Sequence, residues 1–185
     1  METNTKSNIY PLAMTAMMAA VIAAAAPFAI PAGEISFTLC TFVLYLAPYV
    51  LGWKRAAAAT LVYILLGMVG MPVFSGFKAG LGVLAGPTGG YVLGYIPMVI
   101  TGGLVIKAFP KNRTLHLGGM LLATAILYVF GTAVFCMQTG AALEKALWAC
   151  VIPFLPFDFG KMVMATGLGP VLRERLVKAG IHPEY

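Results

Sequence analysis

The chain has 185 residues, of which 61% are hydrophobic and 10% charged, where a soluble domain averages about 45–50% apolar and about 25% charged. With a mean hydropathy of +0.92, it has too few polar side chains to coat a water-facing surface. The composition excludes a soluble enzyme, a disordered tail and a DNA-binding domain. The formal charge of +6 therefore reports membrane orientation, not nucleic-acid binding.

A membrane-spanning helix takes about 20 residues, so a chain of this length with short loops holds about six. The first apolar run covers residues 9–30. Small residues from Ala23 to Ala26 fit a signal-peptide cleavage site. The run is long for one, however, and only Lys6 precedes it, so it is read as a span. Further spans follow at 35–51 and 56–69, and a stretch rich in glycine and proline fills 70–90. The fourth and fifth spans cover 91–109 and 115–138, and a short amphipathic piece at 141–150 leads into the sixth, 151–172.

Lys6, Lys54, Arg55, Lys107, Lys111, Arg113, Arg173, Arg175 and Lys178 then share one side of the membrane, and Lys78 and Lys145 the other, with Lys161 inside the sixth span. Under the positive-inside rule this split of nine to two places both termini in the cytoplasm. An odd number of spans would destroy the asymmetry. The expected fold is an all-α membrane protein: one domain over 1–185, a bundle of six transmembrane helices with a Gly-rich outer loop between the third and fourth, and both termini cytoplasmic. No internal repeat is visible, and the halves lack the matching broken helices of inverted-repeat transporters. Cys40, Cys136 and Cys150 form no CxxC pair and no ligand cluster with His116 or His182, so no disulfide, zinc site or cofactor is expected.

Chemistry concentrates in Pro153-Phe154-Leu155-Pro156-Phe157-Asp158-Phe159-Gly160-Lys161. A charged side chain within a span costs about 2.5–3.5 kcal/mol on insertion scales, so it faces a cavity or a partner. Asp158 and Lys161 are three residues apart, neighbours on one helix face. Two readings coexist. The pair neutralises itself, with Asp158 also favoured by the helix N-terminus, or it offers an acceptor and a cationic donor to a zwitterionic or amide-rich small molecule with a carboxylate.

The Gly/Pro stretch reads either as a plain outer loop or as a lid whose Phe74, Phe77 and Tyr91 stack on an apolar ligand. Phosphate-loop readings fail. Gly80-Leu81-Gly82 has no βαβ unit around it, and before and after Gly160-Lys161 the chain has Leu155 and Met162 where a Walker A motif needs Gly and Ser or Thr. On the first helix Ala16/Ala20, Ala19/Ala23 and Ala20/Ala24 make small-xxx-small faces, which serve packing within the bundle or docking on a partner protein. Glu34, between the first two spans, is expected as a solvated charge near the pocket mouth.

Three runs taken together, Gly70-Met71-Pro72-Val73-Phe74, Gly86-Pro87-Thr88-Gly89-Gly90-Tyr91 and Pro156-Phe157-Asp158-Phe159-Gly160-Lys161, resemble BioY, the biotin-specific S components of energy-coupling-factor (ECF) vitamin transporters. The resemblance covers nearly the whole chain. It implies a membrane subunit, not an enzyme, that captures biotin from outside and works with a transmembrane T component and paired ATPases. Some members of the family function without that module. It implies that Asp158 and Lys161 line the biotin pocket, with the Gly-rich loop (Phe74, Gly80, Thr88) and Tyr91 beside it, and that Ala16 and Ala20 contact the T component. Where the family often reads Leu-Gln-Thr at the second helix, this chain has Leu39-Cys40-Thr41, so Cys40 is assigned no binding role. The chemistry agrees with that ligand: Asp158 would accept a ureido N–H, and Lys161 would donate to a carbonyl or carboxylate oxygen.

Other classes compete. An ion-coupled carrier for a carboxylate-bearing solute, in which Asp158 titrates, would transport alone on an ion gradient. An S component for another vitamin would share the fold. A membrane enzyme finds no nucleophile–base pair, metal set or carboxylate dyad in the sequence.

Overall fold

A computed structural model describes the backbone of residues 3–32 and 35–180, and the side chains of 9–29 and 36–180. Glu34 and the side chain of Lys6 lie outside the described residues.

Helix α1 (Thr3–Ala25) ends just before Pro27, which biases its neighbour out of the helical region. The chain then forms an antiparallel hairpin, β1 (Ala29–Ala32) and β2 (Ile35–Thr38), pairing Ala29 with Thr38 and Ile30 with Phe37. The expected second span from Ile35 is corrected here: residues 29–32 and 35–38 are extended, and α2 (Cys40–Leu51) starts at Cys40. Pro31 lacks a backbone donor, and Ile30, Ile35, Phe37 and Thr38 are β-favouring types, so the segment prefers strands.

Gly52, at φ 78° and ψ 165°, breaks α2 from α3 (Trp53–Met68) in a conformation suited to glycine. The Gly/Pro stretch after α3 is irregular but tied down. Gly80 N–H donates to Gly67 O at 2.7 Å, and Gly76 N–H donates to Pro27 O at 3.1 Å. It contains a 3₁₀ turn (Ser75–Phe77) and one helical turn, α4 (Leu81–Leu84). Helices α5 (Gly89–Ala108) and α6 (Arg113–Thr139) follow, and the Asn112 side chain caps α6 by accepting from the Thr114 and Leu115 N–H groups. The amphipathic piece is α7 (Leu143–Cys150), which meets α8 (Leu155–Lys178) at a bend of 49°.

Helix α2 packs against α1, α3, α5 and α8, and α5 lies along α6. The core between them holds Leu44, Tyr45, Met98, Met120, Leu127 and Ala165. Leu12, Leu122, Val129, Met137, Met164 and Leu168 point outward and are exposed, an apolar exterior suited to lipid and unlike that of a monomeric soluble protein. Among the described residues α5 and α6 are each long and apolar enough to cross a membrane, and α7 and α8 reach that length and apolarity only when the bent pair is counted as one. The shorter segments Ile9–Ala25 and Cys40–Leu51 are also apolar. On α1, Ala19 and Ile22 are buried in the bundle, as is Ala26 just after it, whereas Ala16, Ala20 and Ala24 face outward.

Candidate ligand-binding site

Phe154 precedes α8 and Pro156 lies in its opening positions, where a missing N–H costs nothing. This puts Asp158 in the first turn, where the helix dipole favours its charge, and Lys161 on the same face. Lys161 Nζ lies 3.0 Å from Asp158 Oδ1, with the side chains only 13% and 6% exposed. The ammonium also donates to Thr38 O of β2 at 2.8 Å and to Thr41 Oγ1 of α2 at 3.0 Å. Thr41 Oγ1 donates to Asp158 Oδ1 at 3.4 Å, and Tyr128 of α6 donates to Asp158 Oδ2 at 2.7 Å. The hairpin and three helices thus converge on one ion pair. A buried pair with every charge hydrogen-bonded is tolerable where a bare one is not.

Beside the pair is a cavity of about 50 Å³, walled by Ser36, Thr38, Thr41, Tyr91, Tyr95, Leu127, Tyr128, Cys150, Phe154, Asp158 and Lys161. One water needs about 10–15 Å³ of such space, so the cavity holds a few waters or a small polar group. A wider apolar groove of about 770 Å³ shares Thr38 and Lys161 with it and runs past Phe28, Phe37, Leu39, Phe77 and Phe157. Phe37 packs at a tilt against Phe154 and Phe157, with ring centroids 4.3 and 4.7 Å apart, and Phe28 meets Phe77 edge-on at 5.9 Å. A few convergent polar groups beside an aromatic wall are the usual make-up of a small-molecule site.

Of the residues singled out in the sequence, Asp158, Lys161 and Tyr91 meet at this cavity. The Tyr91 hydroxyl is 3.0 Å from Thr132 Oγ1, and its ring lies over Gly131, where a Cβ would collide with it. Phe74, Gly80 and Thr88 are not among the lining residues. Phe74 is 1% exposed, edge-on to Tyr63 and seated on Gly67. Gly80, at φ +90°, ties the loop to Gly67, and the Thr88 carbonyl accepts the Tyr91 and Val92 N–H groups at the start of α5. All three brace the segments that carry Phe77 and Tyr91. Cys40 is buried and does not line the cavity.

Thr38, Thr41, Tyr95 and Tyr128 were not picked out in the sequence as site residues. A signal existed. Thr41, Tyr45 and Tyr49 recur every four residues on α2, and His116, Thr124 and Tyr128 recur at multiples of four on α6. These faces meet: Tyr45 Oη and Thr124 Oγ1 are 2.6 Å apart, and Tyr49 Oη and His116 Nδ1 are 3.1 Å apart. With His116 Nε2–H donating to Phe109 O at 2.9 Å, Nδ1 accepts from the tyrosine. Among the described residues no group of three or more His, Cys, Asp or Glu is placed to hold a metal.

The fold and the buried ion pair define the class, a helical membrane protein with the architecture of a transporter S component. The chain superposes with a TM-score of 0.84 and 23% identity on the crystal structure of the S-component for biotin from an ECF-type ABC transporter, covering 93% of this chain and 95% of that one. The sequence model of the BioY family matches residues 1–178. The biotin transporter BioY of Thermotoga maritima is 37% identical over 146 residues, 79% of this chain and 85% of that protein. The biotin transporter BioY2 of Lactococcus lactis subsp. cremoris is 36% identical over 177 residues, 91% of this chain and 92% of that protein. The chain belongs to the BioY family.

Proposed function

We propose that this protein captures biotin and brings it across the cytoplasmic membrane as the substrate-binding S component of an ECF-type transporter, acting with a transmembrane T component and paired ATPases. In this reading it is a single membrane domain, with α1, α2, α3, α5, α6 and α8 as six spans, the Gly-rich loop outside and both termini inside. The nine-to-two split of basic residues supports that orientation.

The observation that carries the reading is the Asp158–Lys161 pair, held by Thr38, Thr41 and Tyr128 where a polar cavity adjoins an aromatic groove. Such a site suits an apolar body with a hydrogen-bonding end, and biotin is both. The names of the relatives point the same way. The outward Ala16, Ala20 and Ala24 of α1 form the face offered to the T component, since small residues let helix backbones approach. An ion-coupled carrier is less well supported, because Asp158 is already committed to a lysine and two hydroxyls.

The test is uptake of radiolabelled biotin by cells that lack their own biotin transporter, expressing this chain with and without the T component and ATPases. Uptake that requires this chain, and that the energising subunits increase, is expected. No uptake with the protein present in the membrane contradicts the reading. Uptake by the chain alone that vanishes when the ion gradient collapses favours the carrier.

A further inference from the structure

Asp158 and Lys161 differ in what they have left to offer. An ammonium has three N–H donors and no acceptor, and those of Lys161 have three partners: Thr38 O, Thr41 Oγ1 and Asp158 Oδ1. A carboxylate has about four acceptor positions. Among the described residues Asp158 receives Lys161 and Thr41 on Oδ1 but only Tyr128 on Oδ2, which leaves acceptor capacity at the cavity wall for an incoming N–H. The site is therefore poised to receive a donor, and a carboxylate would have to take a bond away from Lys161 while approaching Asp158.

Distance points the same way. The two charged groups are 3.0 Å apart and act as one polar point. The ureido group and carboxylate of biotin lie at opposite ends of the molecule, separated by the bicycle and the pentanoate chain, so both cannot meet that point. The ureido end carries the N–H donors. The rest of the ligand then follows the groove that shares Thr38 and Lys161, past Phe37, Phe77 and Phe157, and Lys161 is the only charged residue among its described lining. A carboxylate at the far end of the ligand meets no cation beyond one already engaged, so the groove gains nothing from that charge.

Building on the biotin reading, we propose that the site recognises the ureido end and leaves the carboxyl end unread, so that this protein also binds neutral, tail-extended biotin derivatives. Esters and alkylamides of biotin would enter ureido-first, with the added chain lying in the aromatic groove.

The test is a calorimetric titration of the purified protein with biotin, biotin methyl ester, biotin hexylamide and a ureido-N-methylated biotin. The ester and hexylamide are expected to bind within about tenfold of biotin, and blocking the ureido N–H to cost on the order of a hundredfold, the loss of a hydrogen bond to a charged group. Phe157→Ala and Phe77→Gly are expected to weaken the hexylamide more than biotin. Phe77 sits at φ 59°, which glycine adopts without strain, so the second variant keeps the loop intact. Biotin binding with a loss on the order of a hundredfold for both ester and amide overturns this proposal alone. Failure of biotin itself to bind overturns the functional reading as well.

Discussion

Tyr128 on α6 donates a 2.7 Å hydrogen bond to Asp158 Oδ2 on α8, the oxygen that Lys161 does not contact. The tyrosine thereby fixes the carboxylate from the side opposite its cation and holds two helices in register at the cavity. A hydrogen bond to a charged group is worth about 1.5–3 kcal/mol. Tyr128→Phe is therefore expected to weaken biotin binding by roughly 10- to 100-fold while the protein stays folded. Titration of the variant checks this, and wild-type affinity would remove Tyr128 from the site.

Breaking the ion pair has a larger effect. Asp158→Asn or Lys161→Ala is expected to lower biotin affinity by orders of magnitude. Each also leaves a charge short of its partner in a span, a loss of about 3–5 kcal/mol when one member of a buried pair is removed. Asp158→Leu combined with Lys161→Met removes both charges, so it is expected to recover thermal stability but not binding. Melting curves and titrations on the same preparations separate the two effects.

Tyr91 depends on the absence of a side chain at Gly131, where a Cβ would meet its ring. Gly131→Ala is expected to push the ring away from the cavity, part its hydroxyl from Thr132, and cost about 1–3 kcal/mol in overpacking. Gly167→Ala, with nothing within 4 Å of its Cβ, serves as the control. If both variants bind and melt like the parent, the seating of Tyr91 does not matter.

The long apolar helices and the Asp158–Lys161 pair were legible in the sequence because each follows from a local rule, the length of an apolar run and a three-residue spacing. The hairpin at 29–38 was masked by its own hydrophobicity, since short apolar strands and helix ends look alike until the prolines are weighed. Thr38, Thr41 and Tyr128 reach the pair only through tertiary packing, from positions 117, 120 and 123 residues away in the case of α2 and the hairpin and 30 in that of Tyr128. The sequence makes Phe74 a ligand-stacking residue if the Gly-rich stretch is a lid, and an ordinary loop residue otherwise. Its ring turns inward because Gly67 leaves space for it under the loop.

The outward and inward faces of α1 give different outcomes for one kind of change. Ala20 faces out, so Ala20→Trp is expected to leave biotin binding to the isolated protein unchanged while abolishing co-purification with the T component and ATPases. Ala19 is 1% exposed, so Ala19→Trp is expected to destabilise the bundle itself. Intact assembly of the Ala20 variant would move the docking face elsewhere.

The most direct measurement is calorimetric titration of the detergent-purified protein with biotin, using thiamin and riboflavin as controls and Asp158→Asn alongside. Tight binding of biotin alone, lost in the variant, is the result expected of a biotin S component built on the Asp158–Lys161 pair. Folded protein that ignores biotin, or that binds it equally well without the Asp158 carboxylate, would contradict that account.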